Sequence, residues 1–186
     1  VLDFVESLAK EGKQILFVGN KKEARDIVEA GAKRINMPYV SLRWIGGTLT
    51  NTTEIRKRIA KFEDLLAKKA TGALDVYTKK ERLLIDREIA RLERNFSGVV
   101  EMRKPPAVLV AVDSEAEKTA IAEAQMIGIP VITLSSTDCN IKGISYPIIA
   151  NDSSLSSISY FIDKIVGAYK NTPKTSGFLD EVKKVG

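Results

Sequence analysis

A run of six apolar residues, Ala107 to Val112, constrains the fold of this chain more than any other stretch. The run contains no polar residue and is introduced by Pro105-Pro106. A strand in which apolar and polar residues do not alternate is typical of a parallel sheet covered by helices on both faces. Parallel strands also need long connections, which are usually helices. The run therefore predicts an α/β fold.

The rest of the chain alternates short apolar strands with amphipathic helices, as a parallel sheet requires. The predicted strands cover residues 14–18, 38–42, 107–112, 131–134 and 146–149. The predicted helices end near Gly12, follow Gly19, follow Asp113, and begin near Ser154. The helix that begins near Ser154 is expected to bury Leu155, and the helix that follows Asp113 is expected to bury Ile127. Because such crossovers are right-handed, the order predicts a doubly wound sheet.

Four pairs of residues have the spacing of a capping box, in which a polar N-cap is followed three positions later by Glu. Each pair predicts that a helix starts at its first member. The pairs are Asn20 with Glu23, Asn51 with Glu54, Thr78 with Glu81, and Ser114 with Glu117.

Residues 52–97, between the second and third strands, follow a different pattern. In each half, apolar residues recur at i, i+4, i+7 and i+11, a period of 3.5. They are Ile55, Ile59, Phe62 and Leu66, then Ile85, Ile89, Leu92 and Phe96. Two such seams joined by a short connection predict an inserted antiparallel coiled-coil helical hairpin. The predicted organisation is a core of residues 1–51 and 98–170, the hairpin at 52–97, and a loosely attached tail at 171–186.

The same segment holds most of the net positive charge. It contains twelve Lys or Arg against eight Asp or Glu, whereas the formal net charge of the whole chain is only +5. A protruding basic element suits a polyanionic partner with regularly spaced phosphates, such as folded RNA. Mixed charges on an exposed helix pair also occur simply as solvated, paired surface, and that interpretation stays open.

Composition excludes several classes of function. There is no His and only one Cys, Cys139, so a zinc site lacks ligands and a His-based triad cannot form. No apolar run is long enough for a membrane span, and the first residues do not resemble a signal peptide. The single cysteine suits a reducing compartment.

The stretch Arg43 to Asn51, R-W-I-G-G-T-L-T-N, fits neither a helical nor a strand period. Its Gly pair indicates an unusual backbone or close approach by another molecule. Two interpretations of the only Trp, Trp44, remain open: it stacks on a base, or it fills the core of an ordinary turn.

A second class of function is a nucleotide-binding or sugar-phosphate-binding enzyme. Gly19, Asp113 and Asp138 follow predicted strands, where open parallel sheets bind ligands. However, Gly19-Asn20-Lys21-Lys22 is neither a P-loop nor a dinucleotide fingerprint. Asp113 is more simply explained as a residue of a turn or helix start.

Six motifs resemble the family of bacterial-type small-subunit ribosomal protein two, in order and spacing over about residues 1–169. They are I-L-F-V-G-N-K-K-E-A (15–24), M-P-Y-V (37–40), R-W-I-G-G-T-L-T-N (43–51), T-K-K-E (78–81), A-V-L-V-A-V-D (107–113) and I-G-I-P-V-I (127–132). Family members carry a further N-terminal region with H-F-G-H and W-N-P segments, which do not occur in this sequence. The turn at 137–140 is also permuted relative to the family.

The resemblance implies a flavodoxin-like sheet and a structural, non-enzymatic constituent of the small ribosomal subunit, without a cofactor or bound metal. It implies binding to rRNA near the junction of head and body. It also implies contact with other small-subunit proteins, including ribosomal protein one, in a cytoplasmic or an organellar ribosome and not at a membrane. Carried onto this sequence, the rRNA-binding candidates are Lys21, Lys22, Arg43, Trp44, Thr48, Thr50, Asn51, Thr52, Arg56, Lys57, Arg58, Arg87, Arg91 and Arg94.

Overall fold

The computed structural model describes residues 1–173 and shows six helices, five strands and one 3-10 turn in that range. The helices are α1 (Leu2–Lys10), α2 (Arg25–Lys33), α3 (Thr52–Ala70), α4 (Lys79–Phe96), α5 (Lys118–Met126) and α6 (Leu155–Asn171). The strands are β1 (Ile15–Val18), β2 (Tyr39–Val40), β3 (Val108–Val112), β4 (Val131–Ser135) and β5 (Tyr146–Ile149). The 3-10 turn is Ser97–Val99. Most of the predicted tail, residues 174–186, lies outside the described residues.

The five strands form one parallel sheet in the order β2-β1-β3-β4-β5. The prediction of a parallel α/β sheet is therefore confirmed. Chain order reverses between β1 and β3, which are hydrogen-bonded neighbours in register from Ile15 opposite Val108 to Val18 opposite Ala111. In such sheets the crevice beyond the carboxyl ends at this point is the usual ligand position.

Alternate strand residues face two different hydrophobic clusters, because successive side chains of a strand point to opposite faces. Phe17 and Val110 pack with α1, α2 and α6, whereas Leu16 and Leu109 pack with α3, α4 and α5. Of the apolar run from Ala107 to Val112, the five residues of β3 are fully buried, and Ala107 just before the strand is partly buried. The sheet is thus covered by helices on both faces.

Helices α3 and α4 follow β2, precede β3 and contact each other. The seam residues nearest the body, including Ile55 and Phe96, belong to the same cluster as the α5 side of the sheet. The pair is consequently continuous with the body at one end. Within residues 1–173, no helix combines the length and the apolar character needed to cross a bilayer.

Of the four predicted capping boxes, only one forms. Thr78 Oγ1 accepts from the Glu81 amide, and the Glu81 carboxylate accepts from the Thr78 amide. At Asn51 the predicted helix start is confirmed, since Asn51 is the N-cap of α3, but its side chain makes no capping hydrogen bond. The other two predicted starts are wrong, because α2 starts only at Arg25 and α5 only at Lys118. The side chains of Asn20 and Glu117 are instead bonded to each other.

Three residues predicted to be buried are exposed. Leu66, Ile127 and Leu155 keep 40%, 41% and 62% of their surface. Ile127 follows the last residue of α5, and Leu155 is the first residue of α6. Leu65 is partly buried in the helix pair in place of Leu66.

Candidate nucleic-acid interface

The loop of residues 43–51 is held by one carboxylate, that of Glu123 in α5. Glu123 Oε1 accepts from Trp44 Nε1 at 2.9 Å and from the Gly47 amide at 2.8 Å. Glu123 Oε2 accepts from the amides of Leu49 and Thr50 at 3.0 and 3.3 Å and from Thr50 Oγ1 at 3.2 Å. The loop therefore wraps around a buried anion supplied by another part of the chain.

Two opposing effects act on the pKa of Glu123. Burial raises it, but the hydrogen bonds from Trp44 and from the loop amides outweigh burial and leave the pKa below its ordinary value. Gly47 has φ +91°, a conformation in which other residues are strained, and this lets its amide point at the carboxylate. The Gly pair thus has a structural explanation.

Sequence reasoning missed Glu123. A signal was available, since Glu123 lies beside Ala120, Ala124 and Ile127 on the predicted inward side of α5. A carboxylate on the buried side of a helix needs hydrogen-bond donors. The backbone amides of residues 43–51, which belong to no predicted helix or strand, could supply them.

The structure settles the open question about Trp44, which is buried in the core cluster with 8% of its surface exposed. Thr48 is also buried, and its hydroxyl donates to the Ile45 carbonyl at 2.6 Å. Arg43 and Asn51 are exposed, Thr50 is exposed but donates to Glu123, and Thr52 is half-buried. Of the predicted loop candidates, Arg43 and Asn51 therefore offer the most accessible side chains.

Lys21 and Lys22, the two predicted secondary candidates, differ sharply. The Lys21 ammonium lies 3.0 Å from Asp113 Oδ2, 3.1 Å from Asp152 Oδ1 and 2.9 Å from Ser153 Oγ. Burial lowers the pKa of Lys21, but the two carboxylates outweigh burial and raise it overall. Lys22 is exposed and makes no ion pair within residues 1–173.

The crevice at the carboxyl ends of β1 and β3 is occupied by side chains bonded to one another. Asp113 has φ +71°, and its Oδ1 accepts from the amides of Glu115 and Ala116, so it is a turn residue, as predicted. Glu117 accepts from the backbone and side-chain nitrogens of Asn20 at 2.6 and 2.7 Å. The carboxylates of Asp113 and Glu117 and the ammonium of Lys21 are thus already paired with one another or with the backbone, and are not free for a nucleotide.

Glu117 has an unusual pKa for a carboxyl group. Burial raises it, the Asn20 amide lowers it, and the nearby charge of Asp113 raises it again, giving a value of about 7. The Asn20 side-chain oxygen is buried without a hydrogen-bond partner among the described residues.

One group of potential metal ligands lies in the same crevice. The ligand atoms of Asp113, Cys139 and Asp152 are all within 4.8 Å of one another. The Lys21 ammonium already contacts both carboxylates and supplies the compensating positive charge. This group is therefore explained as an internal ion-pair network.

The basic residues of α3 and α4 fall into two classes. One class is paired: Lys57 with Glu54, Lys61 with Glu88, Lys68 with Asp64, Lys69 with Asp86, Arg82 with Asp75, and Arg91 with Glu88. Arg56 donates to the carbonyl of Arg103. The other class has no ion pair or side-chain hydrogen bond within residues 1–173: Arg58, Lys79, Lys80, Arg87 and Arg94.

Three members of the unpaired class form a line on α4, which we call the α4 basic stripe: Lys80, Arg87 and Arg94. They are spaced by seven residues, so they lie on one side of the helix at intervals of about 10 Å. All three are exposed, on the side away from Ile89 and Phe96 of the apolar seam. Arg87 and Arg94 were candidates from the sequence, whereas Lys80 was missed because its position relative to the seam was not considered.

The fold is a parallel α/β sheet with a basic helix pair, and the carboxylates of its ligand crevice are paired internally. Comparison with known proteins gives the family: the one described as Ribosomal protein S2 matches residues 1–172. The chain belongs to the ribosomal protein S2 family.

Curated relatives have the same assignment. The chain is 42% identical over 165 residues to "Small ribosomal subunit protein uS2" of Coprothermobacter proteolyticus, covering 89% of this chain and 62% of that protein. It is 43% identical over 167 residues to the protein of that name from Francisella tularensis subsp. novicida, covering 90% and 70% respectively. It is 39% identical over 173 residues to the protein of that name from Wolinella succinogenes, covering 93% of this chain and 64% of that protein. The chain thus spans less than two thirds of the first and last of these relatives.

Proposed function

We propose that this protein is a structural, non-catalytic component of the small ribosomal subunit and binds its rRNA through the exposed side of the α3–α4 pair. The observation that carries the proposal is the α4 basic stripe. Its cations are not neutralised by carboxylates of the described chain, so they are available to phosphates. Together they extend about 20 Å along α4, so they can contact several phosphates of a folded RNA without requiring base-specific readout.

In this proposal the sheet and its covering helices form the body of the protein, and the α3–α4 pair forms the part that binds RNA. The strand order 2-1-3-4-5 is that of flavodoxin-like folds, to which we assign the body. We assign α3 and α4 to an antiparallel coiled-coil hairpin, since Lys61 pairs with Glu88, whereas Lys69, later in α3, pairs with Asp86, earlier in α4. Residues 52–97 then form an RNA-binding arm inserted in a body of residues 1–51 and 98–170.

The loop at the base of the arm has two roles in this proposal. Arg43 and Asn51 reach phosphate or ribose directly, because they are exposed and their side chains make no hydrogen bond within residues 1–173. Trp44, Thr48 and Thr50 act indirectly, by holding the backbone around Glu123.

The remaining assignments rest on the resemblance to relatives named small ribosomal subunit proteins. They are a position near the junction of head and body, contacts with other small-subunit proteins including ribosomal protein one, and residence in a ribosome of the cytoplasm or of an organelle. The paired groups in the crevice of the sheet support the absence of catalysis in this proposal.

The proposal is tested by neutralising the stripe. The variant K80Q/R87Q/R94Q is compared with K57Q/K61Q/K68Q, which removes the same charge from residues that are paired internally. We measure affinity for small-subunit rRNA as a function of salt. The stripe variant is expected to lose about two to three units of the slope of log K against log salt, and the control clearly less.

Co-sedimentation with small ribosomal subunits provides the second measurement, with the stripe variant recovered in a lower amount than the control. If both variants lose affinity and slope equally, net charge alone governs binding and the stripe is not the interface. If neither loses affinity, the arm does not bind the rRNA.

A further inference from the structure

A groove of about 440 Å³ lies between the helix pair and the β2 edge of the sheet. Its apolar wall includes Met37, Tyr39, Phe62 and Leu66. Leu66 keeps 40% of its surface although it lies in the apolar seam of α3. The groove therefore presents apolar surface that no described part of the chain covers.

Three carboxylates line the same groove: Glu63 from α3, Glu93 from α4, and Glu101 after the 3-10 turn. All three are exposed and have no ion pair or side-chain hydrogen bond within residues 1–173. This contrasts with the other acids of the helix pair, of which Glu54, Asp64, Asp75, Asp86 and Glu88 are each paired with Lys or Arg.

The one basic residue lining this groove in the described chain does not offset the charge. Lys33 Nζ lies 2.6 Å from Glu29 Oε1 and 5.7 Å from the centre of the Tyr39 ring. Its charge is thus used by Glu29, and the groove keeps the negative charge of three acids. A phosphate backbone would be repelled here, whereas a cationic segment would be attracted.

We propose that this groove binds an Arg-rich or Lys-rich peptide segment of a partner protein, with apolar side chains of that segment against Leu66 and Met37. Charge complementarity selects the occupant: a basic segment pairs with Glu63, Glu93 and Glu101, and its long aliphatic stems pack on the apolar wall. The two surfaces have opposite charge and therefore suit different partners. The α4 basic stripe suits RNA, and the groove suits a cationic protein segment. The inference does not depend on the RNA-binding proposal.

The test uses the full chain and a short fluorescein-labelled peptide in which Arg alternates with Leu, titrated by fluorescence anisotropy. The variant E63Q/E93Q/E101Q is compared with D3N/D26N/E115Q, which removes equal charge from exposed acids outside the groove. Each exposed ion pair changes an affinity by up to a few-fold, so the groove variant is expected to bind about tenfold more weakly. The control variant is expected to change affinity less than about twofold.

Position is checked separately with the same peptide carrying photo-reactive leucine. Cross-links to the residues that line the groove are expected from the unaltered protein and not from the groove variant. Equal weakening by both variants, or cross-links confined to other surfaces, would overturn the proposal. Cross-linking of a polyuridine probe to the groove would overturn it as well, because the occupant would then be RNA.

Discussion

The indole nitrogen of Trp44 donates a 2.9 Å hydrogen bond to Glu123 Oε1, across 79 residues of sequence. This bond connects the root of the helix pair to α5, on the body of the protein. The same carboxylate also accepts from loop amides, so one side chain holds the loop that leads into α3.

Glu123→Gln is expected to lower the free energy of unfolding by about 3 kcal/mol, because an amide nitrogen cannot accept the loop hydrogen bonds and leaves buried donors unpaired. Urea denaturation measures the loss. Trp44 is the only Trp, so its fluorescence emission is expected to shift to the red as the loop loosens.

Glu115→Gln is a suitable control for that variant, since Glu115 is exposed and pairs only with Lys118. The stabilisation by Glu123 is expected above its ordinary pKa and to disappear as pH falls through its lowered folded-state pKa. An E123Q protein with unchanged stability and emission would show that the loop is held by other contacts.

A second prediction concerns pH and Glu117. Its folded-state pKa of about 7 lies above the ordinary 4.5, so the folded protein binds more protons than the unfolded chain between these values. Stability therefore falls as pH rises from 5 to 7.5, by about 2 kcal/mol from this group. The chain has no His, so few other groups titrate in this window.

Glu117→Gln is expected to remove most of that decline, because the amide mimics the protonated carboxyl and can donate to the buried Asn20 oxygen. Unfolding by urea at pH 5, 6 and 7.5 measures both proteins. Parallel stability curves for the two proteins would refute the assignment of the slope to Glu117.

A third prediction separates two neighbouring lysines. Lys21→Met leaves Asp113 and Asp152 without their cation and is expected to cost about 2 kcal/mol of stability. Lys22→Met is the matched control, and its effect is expected to stay within about 0.5 kcal/mol, because Lys22 is exposed. Equal thermal shifts for the two variants would contradict a structural role for Lys21.

A fourth prediction distinguishes two basic neighbours on α3. Arg58→Gln is expected to lower the salt slope of rRNA binding by about one unit, since Arg58 is exposed and unpaired within residues 1–173. Lys57→Gln is expected to have a smaller effect, because Glu54 lies 2.6 Å from the Lys57 ammonium. A larger slope change for Lys57 than for Arg58 would show that internal pairing does not govern RNA contact.

A fifth prediction concerns close packing beneath the helix pair. A Cβ added at Gly98 would overlap the carbonyl oxygen of Tyr39 in β2. Gly98→Ala is therefore expected to cost about 2 kcal/mol in urea denaturation. Gly46→Ala has no atom within 4 Å of the added Cβ and is expected to change stability by less than about 0.5 kcal/mol.

The fold could be predicted where one periodicity dominated. The uninterrupted apolar run in β3 predicted the parallel sheet, and Tyr146–Ile149 was predicted to the residue. Two of the residues chosen for capping boxes, Asn20 and Glu117, instead bond each other across 97 positions. Local spacing cannot reveal such a competitor.

The candidate site, too, could be predicted only in part from the sequence. A sequence pattern identified the loop and the basic segment, but it could not show which cations are neutralised. Lys21, Lys57 and Arg91 have carboxylate partners, whereas Arg58, Arg87 and Arg94 have none within residues 1–173. These pairings depend on rotamers and helix contacts, which are set by tertiary packing.

The close approach of Gly98 to Tyr39 also shields one edge of the sheet from strand addition. The 3-10 turn lies against β2, and the opposite edge strand, β5, contains Pro147, which has no N–H to offer a further strand. Neither border of the sheet is thus a good template for strand addition by another molecule. Newly synthesised copies would accordingly resist amyloid-like stacking, even though β1, β3 and β4 are rich in Val, Ile and Leu.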